Sequence, residues 1–101
     1  MPTLNQYPIR NVNVITGDEA VLVLPERGQV KVLNEVGARV WDLADGTHDI
    51  DAIVGTLCDE YDVDRDRAEA DTLIFIAELE AKGLLALATD PSPLAQLPEQ
   101  G

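Results

Sequence analysis

The stretch Val30–Gly46, VKVLNEVGARVWDLADG, constrains the fold most, because it predicts a β-strand that leads directly into a helix. Polar and apolar residues alternate where it begins, which is typical of a half-buried strand: Gln29, Val30, Lys31 and Val32. Asn34 is a favourable N-cap residue, and Gly46 can adopt the left-handed conformation that ends a helix. Between these two, helical spacing predicts a buried face of Val36, Val40, Leu43 and Ala44.

The residues before this stretch predict two further strands. Val12 and Val14 alternate with Asn11 and Asn13, which predicts a short first strand that ends at Gly17-Asp18. The run Ala20–Leu24, AVLVL, is apolar throughout, as expected of a strand that is covered on at least one face. Pro25–Gly28, PERG, has the residues of a tight turn into a third strand, Gln29–Leu33. The sequence therefore predicts a three-stranded antiparallel meander with two open edges.

The segments after Gly46 predict two more helices. In the first of them, with Thr47 or Asp49 as its cap, intervals of three and four place on one stripe Ile50, Ile53, Val54, Leu57 and Tyr61. The last helix begins after Asp64 and ends at Lys82, directly before a glycine. The predicted fold class is therefore α+β and winged helix-turn-helix-like, with a three-stranded antiparallel β-meander followed by three α-helices.

The third helix carries two apolar stripes, although a surface helix of a small domain needs only one. At about 100° per residue, the first stripe consists of Ala68, Thr72, Phe75, Ile76 and Leu79. The second stripe consists of Ala70, Leu73, Ile74, Ala77 and Ala81. The second stripe is expected to meet the sheet, a twin subunit or a ligand.

A chain of 101 residues forms one domain, and its composition divides it into three parts. Residues 1–10 contain two prolines and no clear period, so they are predicted to be a loosely held, flexible arm. Residues 11–88 form the predicted domain, in which the apolar run 84–88 is expected to hold the end of the third helix against the sheet. Residues 89–101 are rich in proline and polar residues and are predicted to be disordered.

The net charge of −12 excludes some classes of partner. Nineteen acidic residues outnumber seven basic ones, so nucleic acid is not expected to bind, because neutralising phosphates requires clustered Lys and Arg. Runs of about eighteen apolar residues do not occur, so no membrane partner is expected. Cys58 is the only cysteine, which excludes an internal disulfide and indicates a reducing, cytoplasmic setting.

The chain offers few groups for catalysis, so we expect no enzymatic activity, no cofactor and no metal site. The only serine, Ser92, lies in the predicted tail, and His48 has no second histidine with which to form a metal site. The alternating aspartates of Asp62–Asp66 resemble the start of a calcium loop. However, the sixth and twelfth places of such a loop hold Arg67 and Leu73 instead of the required glycine and acid.

The runs LNEVGARVWDLADG and DTLIFIAELEAKGLL, with Ile53, Leu57 and Tyr61 between them, resemble the PqqD family, also known as RiPP recognition elements. Members of this family are small winged-helix-like domains that hold the leader segment of a ribosomally synthesised precursor peptide. The resemblance implies a peptide-binding domain without catalytic activity. It also implies two partners: the precursor peptide and a separate modifying enzyme, such as a radical-SAM enzyme, a leader peptidase or a cyclase.

In the interpretation that the resemblance implies, the leader adds as a fourth strand to the third strand and contacts the second stripe of the third helix. The matching strand positions are Gln29, Val30, Lys31, Val32 and Leu33. The helix positions, which follow from the stripe pattern, are Ala70, Leu73, Ile74, Ala77 and Ala81.

Two other functions fit the same elements. A winged-helix DNA-binding regulator has this architecture, but its third helix would present Asp71, Glu78 and Glu80 to phosphates. A structural dimerisation module would pair the second stripe with that of a symmetry mate, and such a homodimer is also compatible with peptide binding. Lys31 has two interpretations, because a lysine on an edge strand either guards against unwanted pairing or belongs to an edge kept open for a ligand. The resemblance favours the open edge.

Overall fold

The computed structural model describes residues 2–17 and 20–90, which form five strands and three helices besides one short 3-10 turn. In chain order, the strands are β1 (Tyr7–Arg10), β2 (Ile15–Thr16), β3 (Val21–Leu24), β4 (Gln29–Val32) and β5 (Leu85–Ala88). The helices between β4 and β5 are α1 (Glu35–Leu43), α2 (Ile50–Glu60) and α3 (Arg65–Ala81). Strands β2, β3 and β4 form an antiparallel meander in that order, which confirms the predicted fold class.

Side-chain caps fix where the first two helices begin. The Oδ1 atom of Asn34 accepts a hydrogen bond from the Gly37 N–H at 2.7 Å, and α1 starts directly after this cap. Asp49 does the same for α2 through the N–H of Ala52, at 2.8 Å. Each bond satisfies one of the backbone donors that a helix leaves unpaired in its first turn. The predicted caps Asn34 and Asp49 are therefore confirmed.

One hydrophobic core lies between the meander and the three helices. Its fully buried side chains come from β3, α1, α2, α3 and the residue before β5: Leu22, Leu24, Val40, Ile50, Ile53, Val54, Leu57, Ile76, Leu79 and Leu84. The predicted stripe of α2 and the first stripe of α3 supply most of them. The prediction that Val36 is buried is wrong, because this residue is 41% exposed. It lies in the first turn of α1 and lines an open cavity instead of packing in the core.

A second, two-stranded sheet joins the two ends of the domain. β1 pairs antiparallel with β5, with Tyr7 opposite Ala88. The prediction of a loosely held arm is therefore wrong for β1, and the run 84–88 pairs with β1 rather than with the meander. The Arg10 N–H also donates to the carbonyl of Ala44 at 3.0 Å, which ties β1 to the end of α1. The first strand, which was predicted to begin at Asn11 and end at Gly17-Asp18, is shorter in the structure, because β2 covers only Ile15–Thr16.

Two further expectations concern the ends of the chain and the membrane. Residues 91–101, most of the predicted disordered tail, lie outside the described residues. None of the helices within residues 2–17 and 20–90 has the length and apolar character needed to cross a bilayer.

Candidate functional site

The meander leaves the outer edge of β4 open, since β3 is its one strand neighbour within the described ranges. The N–H of Leu33 donates to the carbonyl of Ala20 at 2.8 Å, which fixes the phase of the hydrogen bonds between β3 and β4. Because bonded and non-bonded pairs alternate along an antiparallel ladder, Lys31 also directs its backbone groups towards β3. The N–H and C=O groups of Val30 and Val32 therefore point to the open side, where a further strand can bond to them.

All five strand residues predicted for the site lie along this edge, and their side chains alternate between two environments. Val30 and Val32 are 59% and 68% exposed, on the sheet face that points away from the helices. Gln29 and Lys31 are half-buried on the other face, and Leu33 is buried in the core. The edge is thus apolar on its outer face and continuous with the core on its inner face.

A cavity of about 460 Å³ opens beside the end of β4, between the first turn of α1, the end of α2 and one face of α3. Most of its lining side chains are apolar: Val36, Val40, Leu57, Val63, Ala68, Ile74 and Phe75. Ile74 is 62% exposed, so the cavity leaves a large apolar side chain in contact with solvent. An apolar ligand group that entered the cavity would remove this surface from water, which is favourable.

Gly37 allows α1 and α3 to approach closely at the cavity wall. A Cβ atom at this position would lie 3.2 Å from Cζ of Phe75 and 3.1 Å from Oδ1 of Asn34. Both distances are tighter than ordinary van der Waals contact. The absence of a side chain at Gly37 therefore allows the Phe75 ring to lie this close to α1.

Charged and polar groups surround the mouth of the cavity. Nζ of Lys31 donates a hydrogen bond to Oε2 of Glu78 at 2.7 Å, an ion pair that connects β4 to α3. Partial burial raises the pKa of the Tyr61 phenol, and the carboxylate of Glu35 raises this pKa further. Tyr61, which lines the cavity, is therefore neutral at physiological pH.

Of the five helix residues predicted for the site, the structure brings only Ile74 to the cavity. Ala70 and Ala81 are exposed, Ala77 is half-buried, and Leu73 is half-buried against the core. The cavity instead meets a face of α3 that consists of Asp71, Ile74, Phe75 and Glu78. This face is rotated by about 90° from the predicted second stripe. The groove beside β4 is therefore formed by a neighbouring face of the same helix.

Sequence reasoning missed several residues that line the cavity. It assigned Val36 and Phe75 to buried stripes and made no prediction for Gly37. A glycine in the first turn of a helix disfavours the helix by about 1 kcal/mol relative to alanine, so its presence is a signal of close approach by another element. That signal identifies the contact with Phe75 only once the partner helix is known.

An open strand edge next to an apolar cavity, on a meander followed by three helices, defines a domain suited to the addition of an extended peptide strand. The family model described as "Coenzyme PQQ synthesis protein D (PqqD)" matches residues 19–85. The chain belongs to the PqqD family, which confirms the resemblance seen in its sequence.

Relatives and a solved structure extend this comparison. Two relatives described as "PqqA binding protein", from Rhodopseudomonas palustris strains HaA2 and TIE-1, are each 32% identical over 73 residues, covering 72% of this chain and 70% of the relative. The solved structure described as TbiB1 in complex with the TbiA(beta) leader peptide is 33% identical, with a TM-score of 0.66. That match covers 76% of this chain and 93% of TbiB1.

Proposed function

We propose that this chain binds the leader segment of a ribosomally synthesised precursor peptide by strand addition to β4, and presents it to a separate modifying enzyme. The observation that carries the proposal is the open backbone of Val30 and Val32 on a strand that the Lys31–Glu78 ion pair connects to the wall of the apolar cavity. The relatives support it, because two are described as binding PqqA and TbiB1 is seen with a leader peptide.

The two features accept different parts of the leader. Val30 and Val32 each present one N–H and one C=O to the open side, which gives a bound strand four backbone hydrogen-bonding partners. Beyond β4, the lining of the cavity follows α3 from Glu78 to Ala68, which is about 15 Å along the helix axis. An extended peptide covers this distance with about five residues. The backbone of the leader thus bonds to the edge, and an apolar side chain fills the cavity.

The expected affinity is moderate, because a flexible leader loses conformational freedom when it binds. Ordering a disordered segment costs several kcal/mol of the gross interaction energy. We expect a net binding free energy of about −8 to −10 kcal/mol, which corresponds to a Kd between about 1 μM and about 50 nM. This range allows the leader to be released after modification.

In this proposal the chain is a binding partner and the chemistry belongs to another polypeptide. The residues that line the cavity within the described ranges include neither His nor Cys, and most are apolar, which favours binding over catalysis. The enzyme partner would be a radical-SAM enzyme, a leader peptidase or a cyclase, acting in the cytoplasm where the precursor is synthesised. A homodimer is compatible with this role, since the exposed Ala70 and Ala81 lie on another face of α3.

Residue-resolved amide hydrogen exchange, measured by NMR, tests strand addition directly. The probes are synthetic PqqA and the TbiA(beta) leader peptide, each added to the intact protein. We expect the amides of Val30 and Val32 to exchange fast in the free protein and to become protected in the complex. Lys31 is the internal control, because its amide faces β3 and is protected in both states. Binding without new protection at Val30 and Val32 would contradict strand addition at this edge.

A further inference from the structure

The two charged residues that line the cavity are both acidic, and neither Lys nor Arg occurs among the described lining residues. Asp71 and Glu78 are seven positions apart on α3, or about 10 Å along the helix axis. Ile74 and Phe75, the apolar wall of the cavity, lie between them. The apolar binding surface is therefore bordered on both sides by a carboxylate.

The two carboxylates differ in how firmly they are already paired. Glu78 accepts the 2.7 Å hydrogen bond from Lys31, whose side chain is only 25% exposed. Asp71 pairs with Arg67 at 3.1 Å, but these two side chains are 63% and 75% exposed. An ion pair with such exposure contributes only about 0–1 kcal/mol, because water competes for both partners. Asp71 is therefore the acid that a ligand can engage at little cost.

We infer that the peptide bound in this groove carries a Lys or Arg within two positions of its bulky apolar residue, and that Asp71 pairs with this cation. The inference rests on the proposed function and specifies the class of leader that the groove accepts. Asp71 lies one helical turn, about 5 Å, from Ile74, and an extended chain covers this distance in one to two residues. An acidic peptide residue at the same place would be repelled by Asp71, by Glu78 and by the net charge of −12.

The test is a selection from displayed random peptides against the intact protein. Peptides of about twelve residues exceed the roughly eight that the edge and the groove accommodate together. The same library is applied to the wild-type protein, to Asp71→Lys and to the control variant Glu80→Lys. Glu80 is exposed and lies nine residues from Asp71, about 180° around α3, so the control makes the same change of net charge on the opposite face.

We expect the wild-type protein and Glu80→Lys to enrich peptides in which Lys or Arg lies within two positions of a bulky apolar residue. Asp71→Lys should lose this preference and enrich Asp or Glu at the same spacing. For one peptide selected on the wild-type protein, Asp71→Lys should weaken binding about tenfold relative to Glu80→Lys. This ratio should decrease at high salt, because screening weakens interactions between exposed charges.

Selected peptides that contain the apolar residue without a nearby cation would overturn the inference, as would equal affinities for the two lysine variants. In either case, protection of the Val30 and Val32 amides by those peptides would leave the proposed function intact. If neither the library, nor PqqA, nor the TbiA(beta) leader peptide binds, both the inference about Asp71 and the proposed function are refuted. Circular dichroism checks that each variant is folded, and Asp71→Asn, which removes the charge without reversing it, should show an intermediate loss of affinity.

Discussion

Replacing Ile74 by alanine tests whether a leader side chain covers the cavity. Ile74 is 62% exposed in the free protein and lies on the face of α3 that borders the cavity. Complete burial of an isoleucine side chain contributes about 1.5–3 kcal/mol, so covering its exposed part contributes about 1–2 kcal/mol. We therefore expect Ile74→Ala to raise the Kd for a bound leader peptide by about five- to thirtyfold.

The assay is fluorescence anisotropy with a labelled leader peptide that binds the wild-type protein. Ile15→Ala is the matched control, because Ile15 is 59% exposed and belongs to β2, at the opposite edge of the meander. Both substitutions remove the same atoms from a similarly exposed position. Each should lower the unfolding free energy by only about 1 kcal/mol, because less than half of each side chain is buried.

The comparison between the two variants decides the outcome. If both Ile74→Ala and Ile15→Ala bind the peptide as tightly as the wild-type protein does, the leader does not cover the α3 wall of the cavity. If both weaken binding to the same extent, the loss comes from a general effect on the fold. Only a selective loss in Ile74→Ala supports the proposed position of the leader.

Four further substitutions test the edge, the cavity wall and a pH-dependent turn. Val32→Pro removes an outward N–H, so anisotropy should show that the leader peptide binds about tenfold more weakly. In contrast, Lys31→Pro should mainly lower the unfolding free energy, because it breaks the β3–β4 ladder. Gly37→Ala brings a Cβ atom within 3.2 Å of Phe75 Cζ at the cavity wall. Binding of the leader should therefore weaken severalfold, while the unfolding free energy measured in urea stays within about 1 kcal/mol of the wild-type value. Unchanged binding would show that the leader does not contact this wall. Burial acts to raise the pKa of Asp45, but hydrogen bonds from neighbouring Thr and His side chains outweigh it and leave the pKa below its ordinary 3.8. The ionised Asp45 carboxylate therefore stabilises the fold fully well above pH 3.8, and this stabilisation is lost as the pH falls through the folded-state pKa. Asp45→Asn should lower the unfolding free energy at neutral pH by an amount that decreases in acid. A difference between variant and wild type that does not depend on pH would refute this.

The helices and the meander were predictable because their signals are local. Asn34 and Asp49 cap helices within a few residues of themselves, and the alternation that ends at Val32 spans a single strand. The pairing of β1 with β5 was not predictable in this way. It joins Tyr7 to Ala88, at opposite ends of the described chain, and the short β1 contains a proline and no clear alternation.

The position of the groove on α3 was only partly predictable, for a different physical reason. Periodicity shows which residues share a face of a helix, but it does not show which face borders a neighbouring element. The predicted second stripe contained one large exposed side chain, Ile74, among three alanines and the half-buried Leu73. The sequence placed Ile74 on the stripe expected to meet another surface, and the structure leaves it exposed at the cavity, whereas Phe75 was assigned to the core. The Lys31–Glu78 ion pair, which determines how β4 faces α3, joins residues that are far apart in sequence.

An open β4 edge creates a physical problem, because two copies of the chain could pair through it. Lys31 is not extended across this edge, since its Nζ is bound to Glu78 on the inner face of the sheet. The net charge of −12 opposes such self-pairing instead, because two copies that approach each other repel. The same charge attracts a peptide that carries Lys or Arg. In the proposed mode of binding, a single electrostatic property of the chain therefore disfavours a second copy at the edge and favours a cationic leader, without a guard residue that the leader would have to displace.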